Sequence, residues 1–352
     1  MEEKINGIVR EYYNNGNPRI ERQYRAAICI GALREYYPTG RLRLETFYRD
    51  GMEDGVCREY KSNGSLVRET EIHDDKRNGF FREYGDNGHI QMETFYKDDK
   101  EIGVRRRFYD DGVLASELEF KYNSCYKFRE YYQTGELLSE RDCKGIERDN
   151  DLVLVNDGFR REWYPNGTLK TRENYENGKL EGFRTEFYEN GVIYRQTSYI
   201  NGKKEGMSCQ YDYDGYNILW EASYKAGKFD GIEREWNSDG KLMSETPWKD
   251  GKLDGVGRQY NSNGKLKSET TWKDGKLDGV CRQYNHAGIL KSETTYKDDA
   301  REGEAHVYNE DGTLQRVLIY KDDKLVSENE SPHMEAGQTF DDEQRRSAGM
   351  RR

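Results

Sequence analysis

Apolar and polar residues alternate in short runs along this chain, and clusters of Gly, Asn and Asp separate the runs. Alternating runs rich in aromatic and β-branched residues predict β-strands joined by turns. The same phrase returns with a period of about 24 residues, most plainly in Gly255–Lys276 and Gly279–Asp298. Periods of this length indicate repeat architectures, so the pattern predicts a tandem array of β-hairpins.

One aromatic position marks each of the thirteen copies of the phrase. Its residues are Tyr12, Tyr36, Tyr60, Tyr84, Phe108, Tyr131, Trp163, Phe187, Tyr211, Trp236, Tyr260, Tyr284 and Tyr308. A second aromatic follows in most copies, as Tyr48 follows Tyr36, and an Arg such as Arg34 stands two residues before the first aromatic in ten copies. We expect this Arg either to lie over neighbouring rings or to act as a soluble spacer whose stem packs.

Two loops compete for the tip of each hairpin. A two-residue turn fits Asn63-Gly64, whereas a type I turn followed by a left-handed Gly fits Pro38-Thr39-Gly40. Proline at the first loop position favours the three-residue loop, because type I turns prefer Pro there. This loop pairs Tyr36 with Leu42, and Asp-Gly pairs such as Asp250-Gly251 are expected to join each hairpin to the next.

With this loop, strand alternation predicts that Tyr36 and Tyr48 share one aromatic and aliphatic face with Ala32 and Leu42. The opposite face is predicted to be charged and solvated. Its residues are Glu35, Arg43 and Glu45 and their equivalents. The predicted fold is all-β, an elongated, solenoid-like antiparallel β-ribbon of about thirteen tandem hairpins, or roughly 26 strands, with no closed globular core.

The period divides the chain into four predicted parts. Residues 5–140 hold six repeats and residues 158–325 hold seven. Between them, about eight extra residues fall within 141–157, which we interpret as a loop and a possible hinge, or as a tolerated surface insertion. Residues 326–352 are polar and charged, which predicts a disordered tail.

Composition limits the classes of function. Hydrophobic residues make up 34% and charged residues 35%, yet 13% are aromatic, so the chain suits a thin structure better than a large core. A net charge of −10 disfavours nucleic acid and gives no attraction to anionic membranes. Scattered cysteines, an immediate start of the repeats without a signal peptide, and no apolar run of transmembrane length predict a cytoplasmic protein.

The repeated phrase has a Gly, an aromatic, an x-Asn-Gly turn, a Leu, a Glu and a second aromatic before Asp-Gly-Lys. It resembles the variant class of MORN repeats over about residues 5–325. The resemblance implies a binding or scaffolding module, and bacterial proteins with these repeats are often named as antitoxin components. It brings no catalytic residues, and the chain lacks the Trp-x-x-Gly…Gly-x-Gly phrasing of the better-known MORN repeats, so a lipid-headgroup role is not implied.

Nothing in the pattern predicts an enzyme, a cofactor or a metal site. The five histidines stand far apart at unrelated repeat positions, whereas ligand sets must converge. A Glu that recurs in ten copies, as at Glu45, is expected to serve the repeat instead of catalysis. The nearest approach to a calcium loop, Asp212–Gly215, lacks the terminal Glu and falls on a repeat turn.

We therefore expect a non-enzymatic protein–protein interaction scaffold, with an antitoxin-type neutralising protein as one form of it. The alternative is a glycan- or lipid-headgroup-binding module, which needs an open row of aromatic rings. The candidate binding face comprises Tyr36, Tyr48, Tyr60, Tyr84, Tyr96, Trp163, Trp236, Trp248, Tyr260, Trp272 and Tyr284. The expected partner is a protein, and open edge strands would also permit self-association.

Overall fold

The chain folds almost entirely into β-strands. The computed structural model describes residues 5–121, 124–148 and 151–330, and these ranges contain no helix. It follows that none of them includes a helix suited to crossing a membrane. The predicted all-β class is confirmed.

The chain forms two compact units, Met1–Lys179 and Leu180–Arg352. The strands of the first unit are β1 (Gly7–Tyr12), β2 (Pro18–Arg25), β3 (Ile28–Tyr36), β4 (Leu42–Arg49), β5 (Met52–Glu53), β6 (Gly55–Tyr60), β7 (Leu66–His73), β8 (Lys76–Tyr84), β9 (Ile90–Lys97), β10 (Lys100–Phe108), β11 (Leu114–Lys121), β12 (Ser124–Tyr131), β13 (Leu137–Arg148), β14 (Asp151–Trp163) and β15 (Leu169–Glu176). Neighbours in the chain pair antiparallel, and β4 pairs with both β5 and β6. The result is an open meandering sheet.

The second unit repeats this arrangement. After β16 (Lys179–Leu180), its strands are β17 (Gly182–Phe187), β18 (Ile193–Ile200), β19 (Lys203–Tyr211), β20 (Ile218–Lys225), β21 (Lys228–Phe229), β22 (Gly231–Trp236), β23 (Leu242–Lys249), β24 (Lys252–Leu253), β25 (Gly255–Tyr260), β26 (Leu266–Lys273), β27 (Lys276–Leu277), β28 (Gly279–Tyr284), β29 (Leu290–Lys297), β30 (Ala300–Tyr308), β31 (Leu314–Lys321) and β32 (Lys324–Glu330). Each hairpin again pairs antiparallel with the next.

The described residues form 32 strands, more than the predicted 26, because five connecting strands are broken in two and β32 follows the thirteenth hairpin. One break lies at Asp54, between β5 and β6, and the following Gly55 has φ +143°, a conformation that side chains rarely adopt. The N–H of the preceding Asp54 donates to the carbonyl of Phe47 at 2.8 Å, so the chain stays attached to β4 through the break.

The hairpin tips form the predicted three-residue loop, except that the tip closed by Asp212 and Asn217 has four residues. The N–H of Tyr37 donates to the carbonyl of Arg41, and that of Gly40 to the carbonyl of Tyr37, both at 2.8 Å. Gly40 has φ +83°, as a left-handed bulge position requires. Tyr36 pairs with Leu42, as predicted.

The connecting turns have the primed geometry that the Asp-Gly pairs predicted. Asp50 and Gly51 both have positive φ, +51° and +90°. The N–H of Gly51 donates to the carbonyl of Cys29 in the preceding hairpin at 3.0 Å. Similar bonds recur at later turns, so these turns also tie successive hairpins together.

One extra residue after each tip overturns the predicted division of side chains between the faces. Tyr36 pairs with Leu42 but Glu35 pairs with Leu44, so Arg43 is an unpaired bulge residue. A shift of one residue moves every following side chain to the other face. Tyr48 therefore lies opposite Tyr36, and Glu45 lies on the Tyr36 face, so both predictions were wrong.

The insertion is a longer hairpin and not the predicted loop. Strands β13 and β14 have 12 and 13 residues, and their pairing continues to Arg148 and Asp151. The extra residues therefore extend the sheet, and the compact units divide later, between Lys179 and Leu180. A hinge at the insertion stays a prediction.

The first residues of the predicted tail form a strand. Residues 326–330 belong to β32, which pairs with β31 from Lys324 to Glu330. The remainder of the predicted disordered tail, 331–352, lies outside the described residues.

Candidate binding surface

One face of each sheet carries a hydrogen-bonded ladder of Arg, Glu and Tyr, and we call it the ladder face. Arg34 Nε donates to Glu45 Oε1 at 2.7 Å across the two strands of one hairpin. The hydroxyl of Tyr36 donates to Glu21 Oε2 of the preceding hairpin at 2.8 Å. Glu21 also accepts from Arg10 within its own hairpin, so one carboxylate connects two hairpins.

The Arg–Glu pair recurs in both units with Nε–Oε distances of 2.8 to 3.1 Å. Further pairs are Arg58–Glu69, Arg106–Glu117, Arg234–Glu245, Arg258–Glu269 and Arg282–Glu293. The expected stacking of this Arg on rings was mostly wrong. Within the described chain it is seen for Arg82 over Phe80 and Arg161 over Phe159, at 4.7 and 5.3 Å.

The ladder shifts the pKa values of its members in opposite directions. Hydrogen bonds from Arg10 and Tyr36 lower the pKa of Glu21. Burial and the bond to Glu21 raise the pKa of Tyr36, and burial with a bond to Glu69 raises the pKa of Tyr84 to about 12. At neutral pH Glu21 is therefore an ionised acceptor, and Tyr36 and Tyr84 are protonated donors.

The other face, which we call the covered face, holds most of the deeply buried side chains. Leu33 is 8% exposed and Thr46 is 2% exposed, and they pair directly across β3 and β4. The equivalent Thr94 and Ser208 are each 1% exposed. Second aromatics such as Tyr48 lie on this face, so short side chains at the centre make room beneath larger rings.

Aromatic contacts are densest on the covered face of the second unit. The ring of Phe229 stacks between Tyr224 and Trp248, with centroids 4.6 and 5.0 Å away. Glu233 accepts the indole N–H groups of Trp220 and Trp248 at 2.8 and 2.9 Å. The Glu233 carboxylate and the stacked rings together hold the side chains of neighbouring hairpins in place.

The eleven candidate residues consequently form two groups on opposite faces. The ladder face holds Tyr36, Tyr60, Tyr84, Trp163, Trp236, Tyr260 and Tyr284, and the covered face holds Tyr48, Tyr96, Trp248 and Trp272. All eleven are half-buried. They do not make a single open row of rings.

A tyrosine-rich tip in the second unit was not predicted. We call Tyr188, Tyr194, Tyr213 and Tyr216 the tyrosine cluster. The Tyr188 ring lies 5.0 Å from the rings of both Tyr194 and Tyr213. Tyr213 is 57% exposed and Tyr216 is 89% exposed. The sequence feature that could have indicated this tip is the spacing of 25 residues between Tyr211 and Trp236, which is one more than the period.

The loop of the tyrosine cluster is held in one conformation by Asp212. The N–H of Asp212 donates to the carbonyl of Asn217 at 3.0 Å, which closes a loop of four residues. Asp212 Oδ1 accepts the N–H of Tyr216 at 2.9 Å, and Oδ2 accepts from Asn217 Nδ2 at 2.8 Å. These bonds occupy the carboxylate that suggested a calcium loop.

Cysteine and histidine show no convergent site in the described part of the chain. Four cysteines there carry free thiols, and burial raises the pKa of Cys57 to about 11. Cys143 is disulfide-bonded, which the scattered spacing of the cysteines did not predict. Among the described residues no group of three or more His, Cys, Asp or Glu side chains could hold a metal ion.

Comparison with solved structures gives only remote likeness. The crystal structures of TcdB2-TccC3-Cdc42 and TcdB2-TccC3 match at 12% identity and a TM-score of 0.15. The matches cover 90% and 89% of this chain but only 23% and 24% of those chains, so this chain spans about a quarter of their length. No curated protein matches.

Comparison with protein families identifies the repeat. Seven segments match the family described as the MORN repeat variant. They are residues 5–26, 101–122, 157–177, 180–201, 229–250, 253–274 and 277–298. They lie in both compact units, and each falls on the hairpin phrase that the sheet repeats. The chain is therefore a MORN-variant repeat protein.

Proposed function

We propose that this chain is a non-enzymatic scaffold that binds a protein partner through the tyrosine cluster. The observation that carries the proposal is the four-residue tip closed by Asp212 and Asn217, the one tip of this length in the described part of the chain, which presents Tyr213 and Tyr216 to solvent in a fixed loop. Rigid, exposed Tyr side chains supply large contact areas at low entropic cost in protein interfaces. The repeats would then serve as the support that positions this tip.

The finer form of the proposal is an antitoxin-type protein that neutralises a cytoplasmic partner. It rests on the resemblance of the repeats to bacterial proteins named as antitoxin components. The alternative, glycan or lipid-headgroup binding, needs an open aromatic row, and the eleven candidate rings are half-buried on two faces. The geometry therefore favours the protein partner.

Affinity purification of the tagged, intact chain from native lysate, followed by quantitative mass spectrometry, tests the proposal. We expect one near-stoichiometric protein that is retained by wild type and lost from the Tyr213→Ala/Tyr216→Ala variant. Tyr12→Ala is the matched control, since Tyr12 is 59% exposed but stands in another hairpin. Equal recovery with all three proteins, or enrichment of lipid or glycan alone, would contradict the proposal.

A further inference from the structure

Four large apolar side chains stand exposed in a row on the ladder face of the second unit. Phe183, Met207, Ile232 and Val256 each follow the first Gly of a hairpin and are 58%, 44%, 38% and 39% exposed. Contiguous exposed apolar surface is unusual on a monomer and typically marks an interaction site. The tyrosine cluster lies at a hairpin tip, so the row is a second, separate surface.

The row alternates large and small side chains. In the register of each hairpin a large residue pairs with a small or compact one on the next strand. The pairs are Phe183 with Ser198, Met207 with Ser223, Ile232 with Pro247, and Val256 with Thr271. The surface therefore consists of ridges on every second strand with grooves between them.

The spacing of the ridges decides which surface fits them. Neighbouring strands are about 4.8 Å apart, so successive ridges are about 9.6 Å apart. A partner must repeat this distance to fill every groove. A second copy of the chain has the same period, and an offset of one strand sets the ridges of each copy into the grooves of the other.

We propose that this row is a homodimer interface in which two copies stack their ladder faces, ridge into groove, about a two-fold axis. The interface is isologous, so each copy contributes the same four ridges. An unrelated protein without this repeat distance would seat only one or two of them.

The charges around the row permit this stacking. None of its eight residues is charged, and the adjacent Arg234–Glu245 and Arg258–Glu269 pairs are neutralised within each sheet. Beyond Val256, the next ridge position holds the half-buried Val280, and the one after it holds the exposed Glu304. The eight residues of each row therefore bring no like charges together.

The size of the row predicts a weak, reversible dimer. Eight strands span about 38 Å and a strip of four to five residues is about 15 Å wide, so the two copies bury roughly 1,100 Å² in total. This is close to the lower limit for specific protein interfaces. Association should therefore depend on concentration.

Sedimentation velocity of the intact chain over a concentration series up to about 1 mM tests the proposal, because small interfaces dissociate on dilution. We expect a monomer–dimer equilibrium for wild type and a monomer for Met207→Glu, which places a charge on a central ridge. A wild type that is monomeric throughout, or a Met207→Glu variant that dimerises like wild type, would overturn it.

Two further variants distinguish ridge-into-groove packing from nonspecific hydrophobic association. Ser223→Leu adds apolar surface but fills a groove, so we expect weaker dimerisation, and unchanged or stronger association would refute the packing.

Ile200→Glu is the matched charge control, because Ile200 is 50% exposed in the same unit but lies outside the row. It should dimerise like wild type, and its dissociation would also count against the proposal. Circular dichroism of each variant confirms that the sheet is retained.

Discussion

At the scale of the residue, one carboxylate position explains why the repeats hold together without a thick core. Glu69 accepts from Arg58 within its hairpin at 2.8 Å and from the hydroxyl of Tyr84 in the next hairpin at 2.6 Å. A half-exposed ion pair contributes little by itself, on the order of 0–1 kcal/mol. Because such hydrogen bonds recur along the sheet, together they hold neighbouring hairpins to each other.

The ladder makes a prediction about proton binding at Tyr84. Burial raises the pKa of Glu69, but hydrogen bonds from Tyr84 and Arg58 outweigh it and lower that pKa below its ordinary value. Removing the charge in Glu69→Gln should move the pKa of Tyr84 down from about 12, because its rise comes from burial and from the bond to Glu69. Nuclear magnetic resonance of Cζ-labelled tyrosine, assigned with Tyr84→Phe, measures the shift.

The same variant reports the dependence of stability on pH. The folded pKa of Glu69 is lowered, so its contribution is present above the ordinary value of 4.5 and is lost as pH falls through the folded pKa. The free energy of unfolding should therefore fall less steeply with acid in Glu69→Gln than in wild type. An identical acid slope would contradict the ladder as a source of stability.

Gly257 makes a second prediction at this scale. A Cβ built on Gly257 would lie 2.4 Å from the Trp272 ring, so the ring would have to move. Overpacking of this kind typically costs about 1–3 kcal/mol, and Gly257→Ala should lower the free energy of unfolding in urea by such an amount.

The loss in free energy of unfolding should depend on the Trp272 ring and on the hairpin in which the substitution is made. Trp272→Leu in the same chain should remove most of the penalty of Gly257→Ala, since no ring then covers the site. Cys281→Ala, at the equivalent position of the next hairpin, is the matched control and should be nearly neutral. Equal penalties with and without Trp272 would show that the clash is not the cause.

At the scale of the element, the hairpin tips carry their own connections. The hydroxyl of Tyr37 donates to the carbonyl of Tyr60 at 2.7 Å, and Tyr109 and Tyr132 make the same bond to the following hairpins. In the second unit the hydroxyl of Tyr188 donates to the carbonyl of Tyr211 at 3.0 Å, whereas Asn261 stands at this position in a later hairpin and has no phenol to donate. Tips of the two kinds hold their neighbours differently.

This difference predicts the effect of removing one hydroxyl. Tyr37→Phe should lower the free energy of unfolding by about 0.5–1.5 kcal/mol, because the carbonyl of Tyr60 loses a half-buried donor. Urea unfolding measures the change. Tyr12→Phe, whose ring is 59% exposed, should be neutral, and a loss as large as that of Tyr37→Phe would argue against the tip bond.

At the scale of the whole molecule, each hairpin packs against its immediate neighbours. Repeat arrays of this type have stabilities close to a sum of local and nearest-neighbour contributions. Damage at one repeat should therefore stay local. The two compact units each contain a run of such hairpins.

Hydrogen exchange measured by mass spectrometry tests this locality. Gly257→Ala should lower amide protection in β23, β25 and β26, which pair directly around the altered residue. Protection in β17 and β18 should change little. A uniform loss of protection through the unit would instead indicate that it unfolds as one cooperative block.

The strands and turns could be predicted from the sequence, because local chemistry that recurs in every copy sets each of them. Proline and glycine in Pro38-Thr39-Gly40 specify the tip loop, and the Asp-Gly pairs specify the connecting turns. The recurrent Glu was correctly assigned to the repeat. Its partners were missed, because they depend on which face the Glu occupies.

Three features follow from tertiary packing instead: the face that each side chain occupies, the pairing of the inserted residues, and the exposure of the surface residues. The bulge at Arg43 has no residue signature of its own, yet it moves Tyr48 and Glu45 to the faces opposite those predicted. The extra residues of β13 and β14 pair with each other instead of forming a loop. Exposure of Phe183 and Tyr216 follows from what packs beside them, which register and neighbouring hairpins determine and a linear pattern does not contain.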